Sequence, residues 1–166
     1  SLARQAIPGL SGVVVGDGER RREVGQLSRE LDLTGCVTFA GHQTDVHSWL
    51  TRARIFVLTS DSEGLALSLM EAMACGLPAI VSSVGDLADL VRDGVNGFLV
   101  PRRSPERFAE RIVELLSNPA KTLAFSTAAK AESLRHESNG VSRQWTAILS
   151  HLAQSPSVTK PKGMLQ

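Results

Sequence analysis

Glu63 and Glu71 stand in the stretch SEGLALSLMEAMACGLPAIVSS, residues 62–83, where Glu71 is the single charge between Gly64 and Gly85. The strand pattern of RIFVLTS ends near Thr59 and a helical pattern opens near Ala66 or Leu67. Glu63 therefore lies on the entry loop, beside the N–H groups of Gly64, Leu65 and Ala66. Free amides at a helix N-terminus attract anions, and Gly64 removes a side chain where a phosphate would approach the backbone. Glu71, a turn or so into the helix, shares a side with Leu67, Ser68, Ala74 and Cys75, none of which offers a cation. Burying an unpaired carboxylate is costly, so the apolar run predicts a Glu71 that is paired, wet or directed at a ligand. Arg52 or Arg54 would supply the structural alternative, an ion pair.

Two further strand ends carry candidates. Gly16, followed by Asp17 and Gly18, closes the run GVVVG and lets backbone approach a ligand closely, although GDG also reads as a turn. It is neither a Walker loop nor a complete GxGxxG fingerprint, which removes support from nucleotide hydrolysis and ordinary dinucleotide binding. Gly41, His42 and Gln43 follow the strand CVTFA, where His42 either contacts a base or sits on a surface loop. His47 reads as a helix-surface residue.

The elements that must hold these loops alternate along the chain. Apolar runs at 12–16, 36–40, 54–60, 78–83 and 97–101 are separated by helical patterns at 19–33, 44–53, 65–76 and 86–94. Continuous apolar strands with crossover helices predict a parallel sheet covered on both faces, a doubly wound α/β layout whose ligands gather at the carboxyl ends of the strands. Gly76 and Pro78 stop the helix after Cys75. Ser104 reads as the N-cap of a helix with Pro105 at its first position and Glu106 in its first turn, ended by Asn118 and Pro119. More helix is expected at about 120–134 and 140–153, followed by a mobile tail over 154–166. Residues 1–153 are thus expected to form one domain.

Composition limits the function classes. With 166 residues, 42% apolar, 21% charged and a net charge of +1, the chain has no basic field of the kind that binds nucleic acid. Cys36 and Cys75 lack metal-ligand spacing, and no secretory signal opens the sequence, so a reducing, cytoplasmic setting is expected. The apolar stretch 65–81 is broken by Glu71, Gly76 and Pro78, against a membrane-spanning helix, while peripheral membrane contact stays open.

From about Ile7 to Leu116 the segments VVVGDGER, VTFAGH and SEGLALSLMEAMACGLPAIVSSVGDLADLVRDGVNGFLV resemble, in order and spacing, the C-terminal half of a retaining glycosyltransferase of family four. That resemblance implies the two-Rossmann-domain GT-B architecture, with this chain as a partial nucleotide-sugar-binding, Rossmann-like domain. The family's Glu, seven residues, Glu pattern falls on Glu63 and Glu71. It implies that Glu63 reaches the donor sugar's hydroxyls and is tied to retaining transfer, while Glu71 accepts hydrogen bonds from the nucleotide ribose. An ionised carboxylate is acceptor-only and takes both hydroxyls of a diol, which suits both roles. The amides of Gly64, Leu65 and Ala66 would hold the diphosphate and sugar, and the loop of Gly41, His42 and Gln43 would border the base, with Gly16 at the adjoining strand end. No cofactor or metal is implied beyond the nucleoside diphosphate sugar itself.

The chain departs from the family pattern in three places. EGLA stands where EGFG is common, and VGDLAD where VGG and a following Pro-Glu are usual, so these segments do not identify the donor. The family's first strand, with its Arg and Lys for the diphosphate, and the acceptor-binding N-terminal domain are absent from the match. In the order 3-2-1-4-5-6 that first strand is central. Either the strands at Gly12 and Arg54 become direct neighbours, or another chain fills the gap, which leads to an expected assembly or domain-swapped dimer. The leading expectation is the donor-binding half of a glycosyltransferase, inactive alone; its rivals are a non-catalytic nucleotide-binding or interaction module and an epimerase-like relative of the same architecture.

Overall fold

Strand β4 (Ala79–Ser82) is buried at every position, because its neighbours supply both edges and helices cover both faces. It pairs in parallel with β3 (Phe56–Leu58) on one side and β5 (Gly97–Val100) on the other. Side chains alternate across a strand, so Ala79 and Val81 face one layer and Ile80 the other. Ala79 and Val81 pack with Leu69 and Met73 of helix α4 (Leu67–Ala74), with Leu87 and Leu90 of α5 (Leu87–Leu90), and with Ala129 of α7 (Pro119–Arg135). Ile80 packs with Phe98 and Val100 of β5, Phe108 and Leu115 of α6 (Pro105–Ser117), and Phe125 of α7. These helices on both faces give the doubly wound, Rossmann-like α/β fold that the strand pattern predicts.

This description comes from a computed structural model that describes residues 1–64 and 66–136. The chain divides into two units, Ser1–Ser133 and Leu134–Gln166, and every element placed here begins in the first. The helix expected at 140–153 and the tail at 154–166 lie outside the described residues.

The remaining strands form a separate ribbon. β1 (Gly12–Val15) pairs in parallel with β2 (Val37–Gly41), preceded by the short helix α1 (Leu2–Ala6) and connected by α2 (Arg21–Glu30). The sheet order is β2-β1 in one piece and β3-β4-β5 in the other. Direct pairing of the strands at Gly12 and Arg54 is therefore not what forms. β1 was expected to be covered on both faces, yet all of its residues are exposed, Val13 by 49%. It has one hydrogen-bonded neighbour among the described residues, which leaves one edge open, and its apolar faces are uncovered; Val24 and Leu27 of α2 are exposed as well.

Helix boundaries follow local chemistry with two corrections. Gly76 takes the left-handed conformation after α4, at φ 76°, where a side chain would be strained. Ser104 is the N-cap residue of α6, but its hydroxyl does not cap the helix; it donates to the Arg102 carbonyl at 3.4 Å. Asn118 does more than end α6: its Oδ1 accepts the Lys121 amide at 3.0 Å and so caps α7, with Pro119 at the first helical position. The pattern at 44–53 contributes only a four-residue helix, α3 (His47–Leu50), and α5 is equally short.

Unpaired strand edges bearing apolar residues favour association. Light scattering at micromolar concentration should therefore give a mass above that of one chain. A strictly monomeric species with a cooperative melt would contradict this expectation.

Candidate functional site

Within each parallel sheet the strands run in one direction, so the loops after β1 and β2 leave the ribbon together and those after β3, β4 and β5 leave the larger sheet together, at carboxyl ends, where ligands of open α/β sheets bind. At the β3 end, Ser60 and Glu63 are half-buried and bonded to each other, the Ser60 hydroxyl donating to Glu63 Oε1 at 2.6 Å. One carboxylate oxygen is thereby fixed and the other is left for a further donor. The Glu63 backbone is braced from the β4 end by Gly85, whose φ is 53°. A Cβ added to Gly85 would fall onto the Glu63 carbonyl, so only glycine lets these two loops approach as they do.

Glu71 differs from the buried charge that the apolar run suggested. It is exposed, on the outward stripe of α4 with Leu67, Ser68 and Ala74, while Leu69, Ala72 and Met73 face the core. No ion pair links it to Arg52 or Arg54: the guanidinium of Arg52 lies 4.7 Å from the Trp49 ring centroid and its Nε donates to the Ser48 carbonyl at 2.9 Å. Of the three alternatives the carboxylate is wet, and so open to a ligand.

The amide cradle is partly described. Gly64 is exposed with open space where a Cβ would project, Ala66 is buried as the N-cap residue of α4, and Leu65 lies outside the described residues. The first turn of α4 has amides without partners inside the helix, the ordinary condition of a helix start.

The other candidates form a second group at the β1 and β2 ends. The Gly16 amide donates to the Gly41 carbonyl at 2.8 Å, which brings these two loop starts together. Arg21 lies against Gly41, where an added Cβ would come within 2.9 Å of Nη1, and the same guanidinium nitrogen donates to Asp17 at 2.8 Å. Gln43 spends its amide inside the loop, donating to the Ala40 carbonyl at 2.7 Å and accepting from Trp49 Nε1 at 3.3 Å. Gln43 thus shapes the loop, and His42 beside it is exposed. His47 is exposed as expected, but its Nδ1 also meets the Cys75 sulfur at 3.4 Å, and burial, followed by the charge of Glu71, pushes the Cys75 thiol up from its ordinary pKa.

Sequence reasoning missed the ionic contacts between these loops. Arg103, after β5, donates to both oxygens of Asp61, after β3, at 3.1 and 2.9 Å. The Arg103 hydrogen bond holds the Asp61 carboxyl below the usual carboxylate range, and Arg102 and Arg20 act on it in the same direction.

The family model described as Glycosyl transferases group 1 matches residues 1–132. The chain belongs to this family. Among its relatives, the putative glycosyltransferase EpsD of Bacillus subtilis is 33% identical over 119 residues, covering 72% of this chain and 31% of that protein. An uncharacterized glycosyltransferase of Haemophilus influenzae is 30% identical over 137 residues, covering 82% of this chain and 39% of its own length. The chain thus spans between about a third and two-fifths of these relatives. Among solved structures, Anabaena Alr3699/HepE in complex with UDP and glucose aligns with a TM-score of 0.82 and 27% identity, over 90% of this chain and 42% of that one. Within this group 1 glycosyltransferase chain, the family resemblance and the GT-B, Rossmann-like fold read from the sequence both stand.

The close packing of Gly85 on Glu63 gives the site a sharp sensitivity. Gly85→Ala should lower stability by about 1–3 kcal/mol through its left-handed conformation and the collision with Glu63. Urea denaturation measures this directly, and an unchanged midpoint would refute the contact.

Proposed function

We propose that this chain is the donor-binding half of a retaining glycosyltransferase, which in the intact enzyme moves a sugar from a nucleoside diphosphate sugar to a saccharide, lipid or small-molecule acceptor. The observation that carries the proposal is the arrangement after β3: Glu63 held by Ser60 on the loop, then the start of α4, then Glu71 on its exposed stripe. Such an order suits a ligand that presents hydroxyls at both ends and phosphates between them. Glu71 would accept both hydroxyls of the ribose, Glu63 the hydroxyls of the sugar, and the amides of Gly64, Leu65 and Ala66 the diphosphate. Gly16, Gly41 and the exposed His42 would border the base. The UDP and glucose in the HepE structure support the same ligand class.

In the retaining reaction, the acceptor oxygen bonds to the anomeric carbon on the face from which the diphosphate oxygen departs, and the acceptor proton passes to that leaving oxygen. Charge on the leaving group would be met by the α4 amides and by cations. An acceptor-binding domain and a strand between β1 and β3 would come from outside these 166 residues, so the chain by itself would turn over no donor. No helix among the described residues is long and apolar enough to cross a membrane, and peripheral contact would serve a lipid acceptor.

Calorimetric titration with UDP-, GDP- and ADP-sugars tests the assignment. One of them should bind, and Glu71→Ala should weaken it by about 1–3 kcal/mol, the loss of hydrogen bonds to a charged acceptor. Because Glu71 is exposed and unpaired with Arg52 or Arg54, the melting temperature should not change. Unaltered affinity in the variant, or loss of the fold, would contradict the proposal.

A further inference from the structure

Arg103 occupies a backbone conformation that disfavours it. Its φ is 58°, in the left-handed region where a side chain bearing Cβ is strained, and it precedes the N-cap of α6 on the loop after β5. The only other described non-glycine residue with positive φ is Asp32, just beyond the end of α2, where helices ordinarily finish this way. No helix end accounts for Arg103. What accompanies its conformation is the two-pronged bond to Asp61, 42 positions away in the sequence. Its side chain is 75% exposed and that of Asp61 53%, and exposed ion pairs add little to stability. A strained backbone that accompanies a weakly stabilising ion pair points to geometry, not stability, as what the pair supplies.

We infer that Arg103 is a positioning residue for Glu63, acting through a clamp on Asp61 that ties the β5–α6 loop to the β3–α4 loop. Asp61 adjoins Ser60, whose hydroxyl fixes one oxygen of Glu63, and lies two positions before Glu63 itself. Gly85 restrains the same segment from the β4 side. The segment 60–63 is thus held to the β4 loop by close packing and to the β5 loop by a forked ion pair. The nearby Arg20 is engaged by Glu23 at 2.6 and 2.8 Å and so does not compete for the fork. Resting on the donor-site reading, the inference extends it: Arg103 would set affinity for the sugar portion of the donor, which Glu63 faces, and leave the nucleotide portion alone.

Hydrogen exchange and ligand titration on the full chain separate the two ideas. Arg103→Gly removes the clamp and relieves the backbone, so its melting temperature should hold or rise, whereas Asp61→Asn removes the clamp alone. Both variants should exchange the amides of residues 60–63 at least about fivefold faster than wild type, with exchange in the β4 core unchanged. Wild type in about 1 M salt should move towards the variants, which should themselves respond little. Both variants should also weaken binding of a nucleotide sugar about fivefold or more while leaving the corresponding nucleoside diphosphate unaffected. Unchanged exchange at 60–63, or equal weakening of both ligands, overturns the inference. A wild-type chain that binds neither ligand overturns the donor-site reading instead, and the clamp is then decided by exchange alone.

Discussion

The parallel ladder on both edges of β4 is the constraint on which the candidate site depends. Because β3, β4 and β5 run the same way, Glu63, Gly85 and Arg103 leave the sheet from the same side, on successive loops, and converge without any contact in sequence. The ladder is itself held by burial: Leu69 and Met73 from one layer and Phe108, Leu115 and Phe125 from the other exclude water from both faces of β4. A carboxylate placed on the β3 loop is therefore anchored to the best-packed part of the molecule while remaining at its surface.

Local chemistry then decides which oxygen atoms are free. Ser60 engages one oxygen of Glu63, Gly85 allows the backbone approach that no other residue would permit, and Asp61 ties the loop to Arg103. At the β1 and β2 ends the polar groups are more fully spent on one another, Asp17 on Arg21 and Gln43 on Ala40 and Trp49. The loops there are shaped first and have backbone and His42 left to offer a ligand. Group 1 glycosyltransferase membership rests on residues 1–132, while the two groups of loops differ in which polar groups have partners already.

Much of this was legible in the sequence. Each strand lies within two residues of its apolar run, and the Glu63 loop falls where the end of RIFVLTS placed it. The exposure of Glu71 was not legible, because α4 carries Leu67 and Ala74 on its outward stripe and so lacks the polar face that marks the solvent side of a helix. The split sheet was legible only as two alternatives, since valines at 13–15 read the same in a covered strand and at an open edge. Arg103 and Asp61 gave no sequence signal at all: their meeting depends on the tertiary register of β3 and β5, which spacing along the chain does not encode. Ser104 misled for a local reason, its hydroxyl turning back to Arg102 instead of forward to the helix.

Glycine amides are dispersed along the chain and report opposite strand ends separately, so their NMR shifts on titration with a nucleotide sugar address the central claim most directly. Gly64 and Gly41 lie at carboxyl ends of strands, while Gly76 precedes β4 at the opposite end and lines a cavity of about 350 Å³ with Cys75 and Pro78. With UDP-glucose, or with GDP- and ADP-sugars in parallel, the account predicts saturable shifts at Gly64 and Gly41 and none at Gly76. Shifts confined to Gly76, or no saturable shift with any of the three donors, would contradict it.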